Sequence, residues 1–250
     1  MAPVFESPMQ ILEYNHPSAH TGRSMPVLRY GRAGAALIYV PSSGGDQHEF
    51  QRYGLPEACA PWLDEGRVQV FSIDGCGPTT LFDPELAPQE RIGRYAAFER
   101  YVSEELLPWI ASVAPGCEIG AVGASYGAFV AANLLFKRYE RVRIACGLGG
   151  VYQMGHRLDG YHDDDVYYHT PLEYLPRLED SAILEAIRAT KGMVLFGAEA
   201  DRWLPTTLQL AHVLREKQLP HETEIWPAPA DHNEFWWRKQ LAVFLERYYS

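Results

Sequence analysis

The sequence has no run approaching 18 uninterrupted apolar residues, which excludes a membrane-spanning helix. It opens without a basic segment leading into an apolar one, so a secretory signal is not expected and a cytoplasmic location is. Cysteine is scarce: four residues, Cys59, Cys76, Cys117 and Cys146, are too scattered for a disulfide framework and lack the CxxC spacing of a zinc site. Positive charge is in deficit, 22 Lys+Arg against 32 Asp+Glu for a formal net charge of -10. A nucleic-acid partner would need a basic footprint, so none is expected. The same balance would slow a polyanionic substrate at low salt, so neutral substrates are expected to fit better. Internal repeats, low-complexity tracts and long linkers are missing too. With 47% hydrophobic and 22% charged residues over 250 positions, what remains is one globular unit with a sizeable core.

The apolar residues come in short blocks rich in β-formers. Segments 25–30 (MPVLRY) and 35–40 (AALIYV) read as strands, joined by a glycine-containing turn at 31–34 in a hairpin-like start. Further strands are expected at 67–73, 118–122, 142–148, 192–196 and 223–226. Their near-continuous apolar character implies a sheet covered on both faces. Between them lie helical patterns: in 91–110, Ile92, Tyr95, Phe98, Val102 and Trp109 share one face, and 204–219 and 235–249 behave similarly. Alternation of this kind predicts a single α/β domain spanning 1–250, with a mostly parallel central sheet and helices on both faces. Segment 149–180 breaks the rhythm. Rich in Tyr, His and Asp, it reads as a cap-like substrate loop.

Gly123-Ala124-Ser125-Tyr126-Gly127 matches G-x-S-x-G, with a strand running into it and a helix leaving it at 128–138. That is the context of a nucleophile elbow, a sharp turn that exposes a serine hydroxyl and tolerates only small flanking residues. A serine hydroxyl is a poor nucleophile until a base removes its proton, and the base needs an orienting carboxylate. His232 lies in a short loop, 227–233 (PAPADHN), between the last strand and the last helix, where a base would emerge. His221 sits at or before that strand and reads as an ordinary surface histidine. The strand at 192–196 runs into GAEADRWLP, which offers two carboxylates. Asp201 is preferred as the acid, and Glu199 stays as the alternative. Charge developing on a carbonyl oxygen needs preorganised N–H donors. Tyr126, just after the nucleophile, is expected to supply one. The loop 41–45 (PSSGG) supplies the second, from Ser43 or Gly44.

With these residues placed, the chain resembles the α/β-hydrolase superfamily. Within it the likeness is to the esterase group that includes esterase D-like, feruloyl-esterase-like and mycolyltransferase-like proteins. The resemblance runs from PSSGGDQHEF through GASYGAFVAANLLF to DHNEFWWRKQLAVFL, the last block carrying His232, Trp236, Trp237 and Arg238. Pro-Ser-Ser-Gly-Gly stands where many lipases have His-Gly. The resemblance implies hydrolysis of an ester or thioester through a covalent acyl-enzyme, with neither metal nor organic cofactor.

The expected function is therefore a serine carboxylesterase acting on a small or medium acyl ester, with a small molecule as its partner. The alternatives are an acyltransferase using the same triad and a catalytically inactive binding module on a hydrolase scaffold. The stretch His156, His162, Asp163, Asp164, Asp165, His169 has metal-ligating residue types but no ligand-template spacing, and no metal is assigned to it. Cys76, in a Gly-Pro turn without a base partner, is not read as a nucleophile. Trp203, Trp236 and Trp237 suit an apolar or sugar-stacking surface. Acyl and alcohol specificity are not encoded in any motif, and the oligomeric state stays open, a homo-oligomer included.

Overall fold

Apolar runs such as VQVFSI and IGAVGA leave no residue exposed on either side, and a strand of that composition must lie inside a sheet covered on both faces. The computed structural model describes residues 10–250 and places eight strands in one sheet. They are β1 (Ile11–Pro17), β2 (Ser24–Tyr30), β3 (Ala35–Val40), β4 (Val68–Ile73), β5 (Ile119–Ala124), β6 (Val142–Leu148), β7 (Gly192–Ala198) and β8 (His221–Trp226), in the order β1-β2-β4-β3-β5-β6-β7-β8. The pairs β1–β2 and β2–β4 are antiparallel; the remainder of the sheet is parallel.

The pleat divides the core in two. In β3, Ala36, Ile38 and Val40 enter one cluster, whereas Leu37 and Tyr39 enter the other. The first is covered by the helical stretch 88–113 and by the helices Tyr126–Lys137 and Leu204–Glu216, the second by Leu55–Asp64 and Glu234–Tyr249. Helix Tyr126–Lys137 is apolar but for Asn133, and buried, from Tyr126 to Phe136, as its central place requires. The single helix expected over 91–110 is found, extended at both ends, with a π-helical stretch at Tyr101–Leu106. Pro108, two residues past Leu106, has no backbone N–H to donate, which accounts for the wider winding before it.

The hairpin-like start is corrected. Strands β2 and β3 are not neighbours, because β4 lies between them. The link 31–34 passes over the start of β4, so closely that a Cβ on Gly34 would sit 2.1 Å from the Arg67 carbonyl. Gly34 also adopts φ +83, so glycine is required twice over. Strand β1, not expected from sequence, pairs along the open edge of β2, with Tyr14 and His16 resting edge-on against Trp109.

The chain runs from β3 to β4 on one side and returns to β5 on the other, which makes the β3/β5 boundary the point where strand order reverses. Loops at the carboxyl ends of strands part there and leave a crevice. Among the described residues no helix is long and apolar enough to cross a membrane.

Candidate active site

Four loops converge at this crevice: 41–45 after β3, the corner at Ser125 after β5, 199–203 after β7 and 227–233 after β8. At the corner Ser125 adopts φ 54, ψ -114, a conformation L-residues rarely hold. Its backbone is tied on both sides: its N–H donates to the Leu148 carbonyl at 2.9 Å, and its carbonyl accepts from Val151 N–H at 3.2 Å. The flanking glycines are obligatory. A Cβ on Gly123 would lie 2.0 Å from the Gly127 carbonyl carbon, and one on Gly127 would lie 2.0 Å from the Val40 carbonyl oxygen.

His232 reaches the corner from the far end of the chain. Its Nε2 lies 2.9 Å from Ser125 Oγ and its Nδ1 lies 2.8 Å from Asp201 Oδ2. The other Asp201 oxygen accepts the Trp203 N–H at 2.7 Å. A carboxylate only accepts, so Nδ1 carries the ring proton and Nε2 is left to accept from the serine hydroxyl. The Asp201 side chain is 2% exposed and that of His232 is 22% exposed: the carboxylate is dry, and the imidazole meets the cleft. The preferred carboxylate is thus the one brought to the imidazole. Glu199 is exposed and accepts instead from Ala228 N–H at 3.1 Å. His221, at the start of β8, donates Nδ1–H to the Leu219 carbonyl at 2.9 Å.

A cleft of about 230 Å³ opens over Ser125, with Ser43, Tyr126 and Trp237 among its walls. Tyr126 opens the elbow helix, so its N–H has no acceptor within that helix. Of the two loop residues expected as second donor, Ser43 lines the cleft; Gly44 is exposed, with nothing within 4 Å of a Cβ placed on it. Among the described residues neither the Ser43 nor the Tyr126 N–H has an acceptor in the protein.

One residue at this site was not visible in the sequence. Glu49, 1% exposed, accepts the Ser42 N–H at 2.7 Å, the Ser42 hydroxyl at 2.6 Å and the Tyr39 hydroxyl at 2.9 Å, and so fastens the 41–45 loop from beneath. Burial pushes its carboxyl up, against the pull of those donors. Gly45 has to be glycine, since a Cβ there would meet Glu49 Oε2 at 2.0 Å. The only sequence sign was a carboxylate beside Phe50 in a short polar stretch.

Segment 149–180 folds over the first core cluster as short helical turns, including Gly155–Arg157, Asp164–His169 and Pro171–Tyr174. Asn133 of the elbow helix holds it, donating to the His169 carbonyl at 2.7 Å and accepting from Tyr174 OH at 3.0 Å. Only its first part, Val151 to Arg157, contributes to the cleft. Trp203 and Trp237 line the cleft and Trp236 does not. Cys76 is buried, and burial pushes its thiol up to about 12. Among the described residues no three His, Cys, Asp or Glu side chains group to hold a metal.

No protein-family model matches the chain, and neither does any curated protein sequence. Solved structures do match. A ferulic acid esterase superposes with a TM-score of 0.75 at 12% identity, over 96% of this chain and 98% of its own. The chain has the α/β-hydrolase fold. An S-formylglutathione hydrolase (FrmB) from Staphylococcus aureus superposes with a TM-score of 0.71 at 13% identity, over 96% of both chains. FphF, a fluorophosphonate-binding serine hydrolase of the same organism, gives 0.73 at 13%, over 96% of this chain and 98% of its own. In this α/β-hydrolase fold, all four site loops lie at the carboxyl edge of the sheet.

Proposed function

We propose that the chain is a serine hydrolase, a carboxylesterase that cleaves small or medium acyl esters through an acyl-enzyme on Ser125. The observation that carries this reading is the unbroken line Ser125 Oγ, His232, Asp201, with contacts of 2.9 and 2.8 Å. Ser125 Oγ attacks the ester carbonyl while Nε2 takes its proton, and Asp201 holds the imidazolium that forms. The tetrahedral oxyanion is held by the N–H groups of Tyr126 and Ser43, each worth roughly 3 kcal/mol in the transition state. The C–O bond then breaks, the alcohol leaves with the proton from Nε2, and the acyl group stays on Ser125. Water enters through the open side of the cleft and gives its proton to the same nitrogen. The acid departs and Ser125 is restored. The esterases and serine hydrolases that share the fold agree with this chemistry.

The test is a series of 4-nitrophenyl esters from acetate to decanoate, run beside Ser125→Ala. Turnover that is highest for short or medium chains and lost in the variant supports the proposal. Turnover retained by Ser125→Ala, or no turnover of any ester by the folded protein, contradicts it.

A further inference from the structure

The expectation of a neutral substrate came from total charge, but charges beyond about 8–10 Å are largely screened at physiological salt, so the groups at the cleft decide. No aspartate or glutamate is among the residues lining it; Asp201 lies behind His232. Two arginines do line it, Arg157 from the 149–180 segment and Arg202 from the loop that carries Asp201. Among the described residues neither forms a salt bridge, in contrast to Arg91 close by, which pairs with Asp159 at 3.2 Å. Both guanidinium groups lie over aromatic rings instead, Arg157 at 4.6 Å from the Phe82 centroid and Arg202 at 5.1 Å from that of Trp203. The Arg157 Nε–H is buried without an acceptor.

The two cations also feel each other. Burial and the charge of Arg202 lower the affinity of Arg157 for its proton, and burial followed by both arginines holds His156, which lines the same cleft, below the usual histidine range. Uncompensated like charges at the mouth of a pocket cost free energy when nothing is bound, and an anion relieves that cost. Aromatic faces beneath them fix the planar forks, so a carboxylate or phosphate meets donors already in place.

Resting on the hydrolase reading, we propose that the substrate is an anionic ester, one bearing a carboxylate or phosphate that Arg157 and Arg202 receive while the scissile carbonyl lies at Ser125. Specificity then resides in charge at the cleft mouth as well as in acyl length.

The test compares matched pairs. On the acyl side these are mono-4-nitrophenyl adipate and 4-nitrophenyl hexanoate; on the alcohol side, 1-acetylglycerol 3-phosphate and 1-acetylglycerol, followed by pH-stat. We expect kcat/KM to favour the anionic member of at least one pair by about tenfold or more at low salt, and the pair that does so tells which side carries the charge. That ratio should fall towards one in the Arg157→Gln/Arg202→Gln double variant, and should fall with added salt. Neutral members equal or better in both pairs, or a ratio unmoved in the double variant, overturn the proposal. Calorimetry on Ser125→Ala protein with adipate and with hexanamide asks the same question without turnover. Adipate binding no tighter than hexanamide overturns the anion site; adipate binding with no turnover of any ester keeps it and removes the hydrolase reading.

Discussion

Replacing Asp201 by asparagine changes one atom, and the hydrogen bonds around it dictate the consequence. Oδ1 accepts the Trp203 N–H at 2.7 Å, so in the variant the amide oxygen must occupy that position, since an NH₂ there would face a donor. The amide nitrogen then points at His232 Nδ1, where the carboxylate oxygen had been at 2.8 Å. Facing a donor, Nδ1 must accept, the ring proton moves to Nε2, and the imidazole can no longer take the proton of Ser125 Oγ. Loss of the productive tautomer lowers kcat on the order of 10⁴-fold with the geometry nearly unchanged, about 5.5 kcal/mol of barrier. The assay is steady-state hydrolysis of a 4-nitrophenyl ester, with circular dichroism and thermal melting to show that both proteins are folded. Glu199→Gln, removing the alternative carboxylate, should change kcat less than about threefold, because Glu199 is exposed and touches only the Ala228 N–H. An Asp201→Asn enzyme that keeps a tenth of its kcat, or a Glu199→Gln enzyme that loses as much, refutes this assignment of the acid.

Gly127→Ala drives a Cβ into the Val40 carbonyl at 2.0 Å, where backbone cannot yield cheaply; it should cost about 3 kcal/mol or more and lower the melting temperature by several degrees. Gly93→Ala, in a helix with open space around the new methyl, should instead be neutral or stabilising by up to about 1 kcal/mol. Glu49→Ala strands the Ser42 N–H and two hydroxyls, so stability should fall by about 3 kcal/mol. In the same variant kcat should drop roughly tenfold with little change in KM, as the loop bearing Ser43 loosens, and Glu49→Gln should recover part of both. His169 is held below its ordinary range, first by burial, with Glu99 opposing and Lys137 assisting. The unfolded chain takes up that proton first, so this stabilising contribution is complete above about pH 6.5 and is lost as pH falls from there through the lowered folded-state value. Melting at pH 7.5 and 5.5 should show a smaller difference in His169→Asn; His16, lowered by burial as well, keeps some of it.

The elbow was legible because its chemistry is local. A strand, a small-residue turn and a helix must follow one another within a few positions, and the clashes at Gly123 and Gly127 leave no other residue room. His232 was legible from chain order alone. The acid was narrowed to two residues and no further, because the choice depends on how one loop turns. Glu199 N–H still bonds the Trp226 carbonyl beside the end of β8 and its side chain faces out, whereas Asp201 N–H folds back to the Ala198 carbonyl and its side chain turns inward. Strand β1 was missed because its residues alternate between exposed and half-buried on an open edge, leaving too weak an apolar signal. The β2-to-β3 link imitated a hairpin, since a turn that joins neighbours and one that crosses a third strand both need glycine. Glu49 and the arginine pair lay beyond sequence reading altogether, since their roles come from partners brought together by the sheet.

The central claim is that His232 activates the Ser125 hydroxyl, and covalent labelling reads that directly. A fluorophosphonate probe incubated with the folded protein, followed by peptide mapping, should modify Ser125 alone, with the labelling rate falling by orders of magnitude in His232→Ala. Label on another residue, no label at all, or Ser125 labelled equally fast without the imidazole would contradict it.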